Sequence, residues 1–322
     1  GRYDITFTKG TLTVAKKALE SSMIADIDPL IYIGTPYTPE PAVIFNGMTL
    51  IKGTDYTLSY ENNVNPGTAT LIVTATANCN YSGTASKNFT INKKEIEQGF
   101  IGTIETLTYT GKAQTPEPTI TFNDMTLVKG TDYLISYTNN VNVGTATYII
   151  RGVGFYSGSA SKTFTIQKKA LTVTADDKSV TFGDDAPEYT VTYDGFVNNE
   201  TEAVLGGNLA IYCLYEKNKN SSSEYIIMPS GLTSSNYAIT FANGKLTVSK
   251  KEMEEGFIAD IEDLTYNGLA QKPEPVLTFN GLTLVENTDY TVVYANNKNA
   301  GTGTVTITGK GSFVGTVSKN FT

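Results

Sequence analysis

Apolar and polar positions alternate in step along three stretches of this chain. Across 129–147, Tyr133, Ile135 and Tyr137 alternate with Asp132, Leu134 and Ser136. After a loop, Ala146, Tyr148 and Ile150 alternate with Thr145, Thr147 and Ile149. A period of two is the mark of strands with one buried face. The loop between them, Asn139-Asn140-Val141-Asn142-Val143-Gly144, is rich in residues that accept positive φ, so the stretch predicts a β-hairpin. It recurs at 52–70 and at 286–304. The first two copies share 15 of 19 positions, the second and third 10 of 19. The inward set returns as Tyr56, Leu58 and Tyr60 with Ala69, Leu71 and Val73, then as Tyr290, Val292 and Tyr294 with Gly303, Val305 and Ile307. The same apolar face predicts the same core three times. Tandem copies of one small domain explain this; an active site does not.

Other patterns set the expected boundaries. Lysine pairs close short apolar strands, and their second members, Lys17, Lys94, Lys169 and Lys251, stand 77, 75 and 82 residues apart. That size suits a minimal β-sandwich of the immunoglobulin kind. The expected modules are 18–94, 95–169, 170–251 and 252–322, the last stopping short of its lysine pair. No Gly/Ser-rich or Pro-rich linker separates them, so an elongated, stiff rod is expected. Pro-Glu-Pro stands upstream of each hairpin, at Pro39-Glu40-Pro41, Pro116-Glu117-Pro118 and Pro273-Glu274-Pro275. Proline cannot donate to a ladder, which predicts the start of an edge strand there. The central glutamate has no second carboxylate or base recurring beside it, so it is not read as catalytic.

The 170–251 stretch is worded differently. It opens Leu171-Thr-Val-Thr-Ala-Asp-Asp, adds strands around Tyr189–Tyr193 and 209–215, a polar loop at 217–224, and ends on Tyr237, Ile239, Phe241, Leu246 and Val248. The ending reads as a hairpin turning at Asn243-Gly244. Tyr3, Ile5, Phe7, Leu12 and Val14 match it closely, turning at Lys9-Gly10. Residues 1–17 are therefore expected to be the closing hairpin of a further module of this second type, truncated in this chain.

These words carry a family resemblance. The 170–251 stretch resembles the MBG-type Ig-like domain of bacterial surface proteins, on its Leu171 opening and its Asn236-Tyr-Ala-Ile-Thr-Phe…Gly244-Lys-Leu-Thr-Val ending. The other three modules resemble the companion repeat of such proteins, on Tyr-x-Gly-x-x-x-x-Pro, Gly-Thr-Asp-Tyr and Asn-Asn-x-x-x-Gly-Thr-Ala-Thr. Local departures are Glu286-Asn287 in place of Lys-Gly, and two extra residues around 76–80. The resemblance covers essentially the whole chain. It implies an all-β array of tandem Ig-like β-sandwiches in an exported, surface-attached, adhesin-like bacterial protein. These families supply no catalytic residues to carry over.

Composition narrows the chemistry. The 322 residues are 40% hydrophobic and 17% charged, with net charge −8. That charge opposes binding to nucleic acid phosphates or to an anionic membrane surface. No apolar run approaches the ~20 residues of a membrane span. There is no histidine, the commonest general base and metal ligand, and no tryptophan. The two cysteines, Cys79 and Cys213, fall in different modules and are not expected to pair. Cys79 has no activating base nearby in sequence and is read as buried. No cofactor is expected, and the chain is expected to be a monomer.

Three candidate chemistries remain. Asp176, Asp177, Asp184 and Asp185 offer the oxygen ligands of a calcium site, against the plainer reading of two polar turns. Among 20 tyrosines, Tyr133 and Tyr137 read as core, while Tyr215, Tyr225, Phe155 and Tyr156 flank loops and are the candidate ligand-binding surface. Lys–Asn isopeptide cross-links would need a buried acid beside the pair, which sequence does not specify. Function then divides into three readings. The first is a non-catalytic stalk projecting a functional part from the cell surface. The alternative is adhesin modules whose loops bind host or matrix glycan or protein. The third, a glycosidase, needs a carboxylate pair in a cleft that the repeats nowhere supply. An extracellular, surface-attached location is expected, with signal and anchor outside this segment.

Overall fold

A computed structural model describes residues 1–219 and 224–322. Regular structure among them is β-strand, apart from four single turns of 3-10 helix. No helix of the described residues is long and apolar enough to cross a membrane. The chain forms two compact units. Unit 1 comprises Gly1–Leu107, Gln114–Asn140 and Gly144–Ile166; unit 2 comprises Thr108–Ala113, Val141–Val143 and Gln167–Thr322.

In unit 1 the alternating stretches become antiparallel ladders. Strands β1 (Tyr56–Glu61), β2 (Gly67–Ala75) and β3 (Thr84–Asn92) pair in that order, with Leu30–Ile31 parallel to β3. Strands β4 (Tyr133–Thr138), β5 (Gly144–Gly152) and β6 (Ser159–Gln167) repeat the arrangement. Tyr60 faces Leu71 in one hairpin, and Tyr137 faces Tyr148 in the other. Ala69, Leu71, Val73, Ala146, Tyr148 and Ile150 are wholly buried. Asn62 and Asn139 sit at φ 55° and 56°, the left-handed conformation their loops were expected to need.

The lysine pairs begin a short parallel ladder: Lys17–Ala18 against Tyr81–Ser82, and Lys94–Glu95 against Tyr156–Ser157. Lys17 and Lys94 each pair with a glutamate three residues on, Glu20 and Glu97. Each ammonium also lies over an aromatic face, 5.7 Å from Phe45 and 5.4 Å from Phe100. The Pro-Glu-Pro segments are themselves outside the strands, and a bridging residue, Val43 or Ile120, stands two positions after each. Their carbonyls are instead held by hairpin tyrosines: Tyr60 Oη donates to Pro39 O at 2.9 Å and Tyr137 Oη to Pro116 O at 2.5 Å. A side chain thus takes the acceptor a strand neighbour would have used.

Residues 1–16 form no strand, and Tyr3, Ile5, Phe7, Leu12 and Val14 are 75–94% exposed. The hairpin expected there is absent. Unit 2 supplies the reason in the twin segment. Strand β7 (Lys169–Ala175) pairs antiparallel with β9 (Val191–Asp194) and parallel with β12 (Tyr237–Ala242). A second sheet runs β8 (Lys178–Thr181), β13 (Gly244–Ser249), β11 (Glu224–Thr233), β10 (Gly206–Cys213). So β12 and β13 are in different sheets, and Asn243 is a crossing point rather than a hairpin turn. β7 and β8 cross beside them, Leu171 opposite Ile239 before the crossing and Lys178 opposite Leu246 after it. Gly244 is needed there: a Cβ would lie 2.4 Å from the Ala175 carbonyl oxygen. Tyr237, Leu246 and Val248 are buried as the pattern predicts. Their partners are β7 and β8, not each other.

Unit 2 also holds the third hairpin, β14 (Tyr290–Ala295) and β15 (Gly303–Gly309), with β16 (Thr316–Phe321) beside β15. Val305 and Ile307 are wholly buried, and Tyr294 Oη donates to Pro273 O at 2.6 Å.

Candidate functional site

The four aspartates each have local partners. Asp176 accepts from the hydroxyls of Thr190 and Thr192, which hold its carboxyl below the usual range. Asp177 accepts from the Lys245 N–H at 2.8 Å, Asp184 from the Thr181 N–H at 3.0 Å, and Asp185 pairs with Lys217 at 2.9 Å. Among the described residues no three histidine, cysteine or acidic side chains group as a metal would need. Asn220, Ser221, Ser222 and Ser223 of the polar loop lie outside the described residues. Both cysteines are free thiols.

The candidate aromatics are mostly engaged. Tyr215 and Tyr225 meet edge to face at 5.6 Å, both half-buried, and Tyr215 Oη donates to the Asp184 carbonyl at 2.7 Å. Phe155 is 40% exposed, whereas Tyr156 is buried. Tyr156 and Phe155 close over Tyr32, with ring centroids 5.7 and 5.3 Å away. Burial pushes the Tyr156 hydroxyl up to about 12.

Tyr32 therefore marks a built contact, and it recurs. Its equivalent in the second repeat is Tyr109, in the same Tyr-x-Gly sequence, and in unit 2 Tyr109 meets the 170–251 stretch. Its ring lies 5.5 Å from that of Tyr237, edge on, and Tyr237 in turn meets Phe196 at 5.4 Å. Tyr109 Oη donates to Glu200 Oε1 at 2.7 Å, and Tyr237 Oη donates to Glu200 Oε2. Burial first, and then the Glu200 carboxylate, pushes the Tyr109 hydroxyl up to about 12; the same causes raise Tyr237. The Val143 N–H donates to Asn236 Oδ1 at 3.1 Å, and Asn236 Nδ2 donates to Asn142 Oδ1 at 3.1 Å. Asn198 Nδ2 reaches the Gly111 carbonyl at 3.1 Å.

A second recurring contact uses the Phe-Asn turn between the short strands of each repeat. Asn123 Nδ2 donates to the Ile33 carbonyl in unit 1, and Asn280 Nδ2 to the Gly183 carbonyl in unit 2, at 3.3 and 2.8 Å. Beside Asn280, Phe182 stacks on Phe279 at 6.0 Å and meets Phe313 edge on at 5.5 Å. A Cβ on Gly183 would fall 2.2 Å from Phe279, so the glycine admits that ring. Sequence reading passed over Glu200, Phe182 and Asn280 because their partners lie 37 to 131 residues away. The one available signal was the recurrence of Tyr-x-Gly and Phe-Asn at places where strand alternation does not require them.

Residues 171–247 match the family model of the MBG domain (YGX type). This MBG-type domain accounts for both sheets from β7 to β13. No curated protein matches the chain. Solved structures similar to it include the protocadherin gammaB7 EC3-6 cis-dimer, at 9% identity over 95% of this chain and 98% of that one, TM-score 0.23. Drosophila N-cadherin EC1-4 is similar at 10% identity over 95% and 99%, TM-score 0.25.

Proposed function

We propose that this chain is a non-catalytic stalk or spacer region of a bacterial, surface-attached, adhesin-like protein. In this reading its modules are 18–94, 95–169, the MBG-type domain at 170–251, and 252–322. The observation that supports it most directly is the burial of three contact aromatics. Tyr32, Tyr109 and Phe182 are buried against residues of another stretch of the chain rather than offered to solvent. Buried aromatic contacts with hydrogen-bonded rims restrict bending where a flexible linker would allow it. A spacer needs that property; a ligand site on the same residues would compete with it.

The test is a glycan array and a panel of matrix proteins probed with the whole chain. The stalk reading expects no saturable binding. Saturable binding that disappears in Tyr215→Ala or Tyr225→Ala would replace it with direct adhesion.

A further inference from the structure

Tyr266 is the third member of the Tyr32 and Tyr109 series. Those two are 8% and 5% exposed, and Tyr266 is 61% exposed. Around it lies an open cavity of about 240 Å³ lined by Leu264, Gln271, Asn299, Ala300 and Phe321, among others. The backbone is set as in the occupied cases: Gly34, Gly111 and Gly268 have φ of 84°, 71° and 81°. A Cβ on Gly111 would strike Asn198 at 2.8 Å, while around Gly268 there is open space.

We propose that this face is a docking site for another MBG-type domain. The wording of the socket selects that occupant. Tyr266-Asn-Gly-Leu-Ala-Gln matches Tyr109-Thr-Gly-Lys-Ala-Gln in four of six positions. Tyr32-Ile-Gly-Thr-Pro-Tyr, which meets a companion repeat instead, keeps only the tyrosine and glycine. One backbone donor discriminates further. Val143 gives its N–H to the MBG-type domain's Asn236. The Tyr32 socket has Pro66 there, which has no N–H to give, while the Tyr266 socket has Ala300, which does. The occupant thus presents a carboxylate to the Tyr266 hydroxyl, an asparagine carbonyl to the Ala300 N–H, and an aromatic edge to the Tyr266 ring. The MBG-type domain already present is not that occupant, because its Glu200 and Asn236 are taken by Tyr109 and Val143. The Leu264 N–H donates to the Thr322 carbonyl at the rim of the socket.

The experiment appends a copy of residues 166–251 after Thr322 of the full chain and follows hydrogen exchange in peptides spanning 264–271 and 297–301. Exchange there is expected to slow about tenfold or more as the amides become buried. Glu→Ala at the Glu200 position of the appended copy is expected to lose most of that protection, and Tyr266→Phe part of it. A second fusion appends residues 91–169, a companion repeat, and should protect the socket far less. Unchanged exchange in the first fusion overturns the docking site. Equal protection by both fusions overturns the choice of occupant. Loss of these effects leaves the stalk reading standing, because that reading rests on the contacts of Tyr32, Tyr109 and Phe182.

Discussion

Tyr109 and Tyr237 meet edge to face at 5.5 Å and donate to the two oxygens of a single carboxylate, Glu200. Both rings are buried, so removing the carboxylate leaves two O–H donors without their acceptor, although the Tyr237 oxygen still accepts from the Val197 N–H at 3.1 Å. Glu200→Ala is expected to destabilise unit 2 by about 1–3 kcal/mol for each hydroxyl it orphans. The alkaline limb of stability should report the same contact. The folded Tyr109 hydroxyl is held at about 12 against 10.0 unperturbed, so the native state keeps its proton where the unfolded chain has lost it. This contribution is complete below pH 10 and fades as pH rises through about 12. Urea midpoints measured from pH 9 to 12 should fall, and Tyr109→Phe should make the fall shallower.

Phe182 is the corresponding anchor at the other side of the MBG-type domain. It is buried against Phe279 and Phe313, and Phe182→Ala should cost about 3–5 kcal/mol in thermal or denaturant unfolding. Phe182→Ala and Phe279→Ala together should cost less than the sum of the two, since they remove one shared contact. Strict additivity would show that the rings act separately.

The third repeat of the hairpin lacks an ion pair the first two have. Lys52 pairs with Glu40 and Lys129 with Glu117, whereas Glu286 stands at the lysine position and lines a surface depression with Glu274. Glu286→Lys should therefore raise the unfolding midpoint slightly, by no more than about 2–4 °C for an exposed pair. The gain should vanish in 1 M salt. A gain that persists there would point to packing of the lysine stem.

Calcium is the clearest test of the acidic turns. Asp176, Asp177, Asp184 and Asp185 each have local partners. Millimolar calcium or EDTA should leave the melting temperature unmoved. An ion bound at 100 times its Kd would add about 2.7 kcal/mol, a rise of several degrees that differential scanning calorimetry would detect.

The hairpins were legible because alternation is a local signal with one solution: Tyr133, Ile135 and Tyr137 face inward whatever lies beyond them. The ending of the MBG-type domain was not, because its alternation fits two geometries. The alternation of Tyr237, Ile239, Phe241, Leu246 and Val248 is the same whether the chain folds back at Asn243 or crosses to a second sheet there. Only β7 and β8, some seventy residues earlier, decide between them. The same ambiguity produced the expected hairpin at Tyr3–Val14. The socket residues were half legible. The recurring tyrosine was visible in Tyr-x-Gly, but its carboxylate partner comes from a loop 91 residues away and from a differently worded domain.

The paired crossing has a mechanical consequence. The MBG-type domain is entered along β7 and left along β13, and the ladders that fasten these strands, β7–β12 and β8–β13, are parallel. Tension applied at Lys169 and Ser249 pulls such strands past one another instead of peeling them apart. The backbone hydrogen bonds of each ladder are then strained side by side and must give way together. Pulling between those two residues should give one high-force rupture instead of a staircase of small ones, and a domain built this way resists stretching most along the direction in which the chain passes through it.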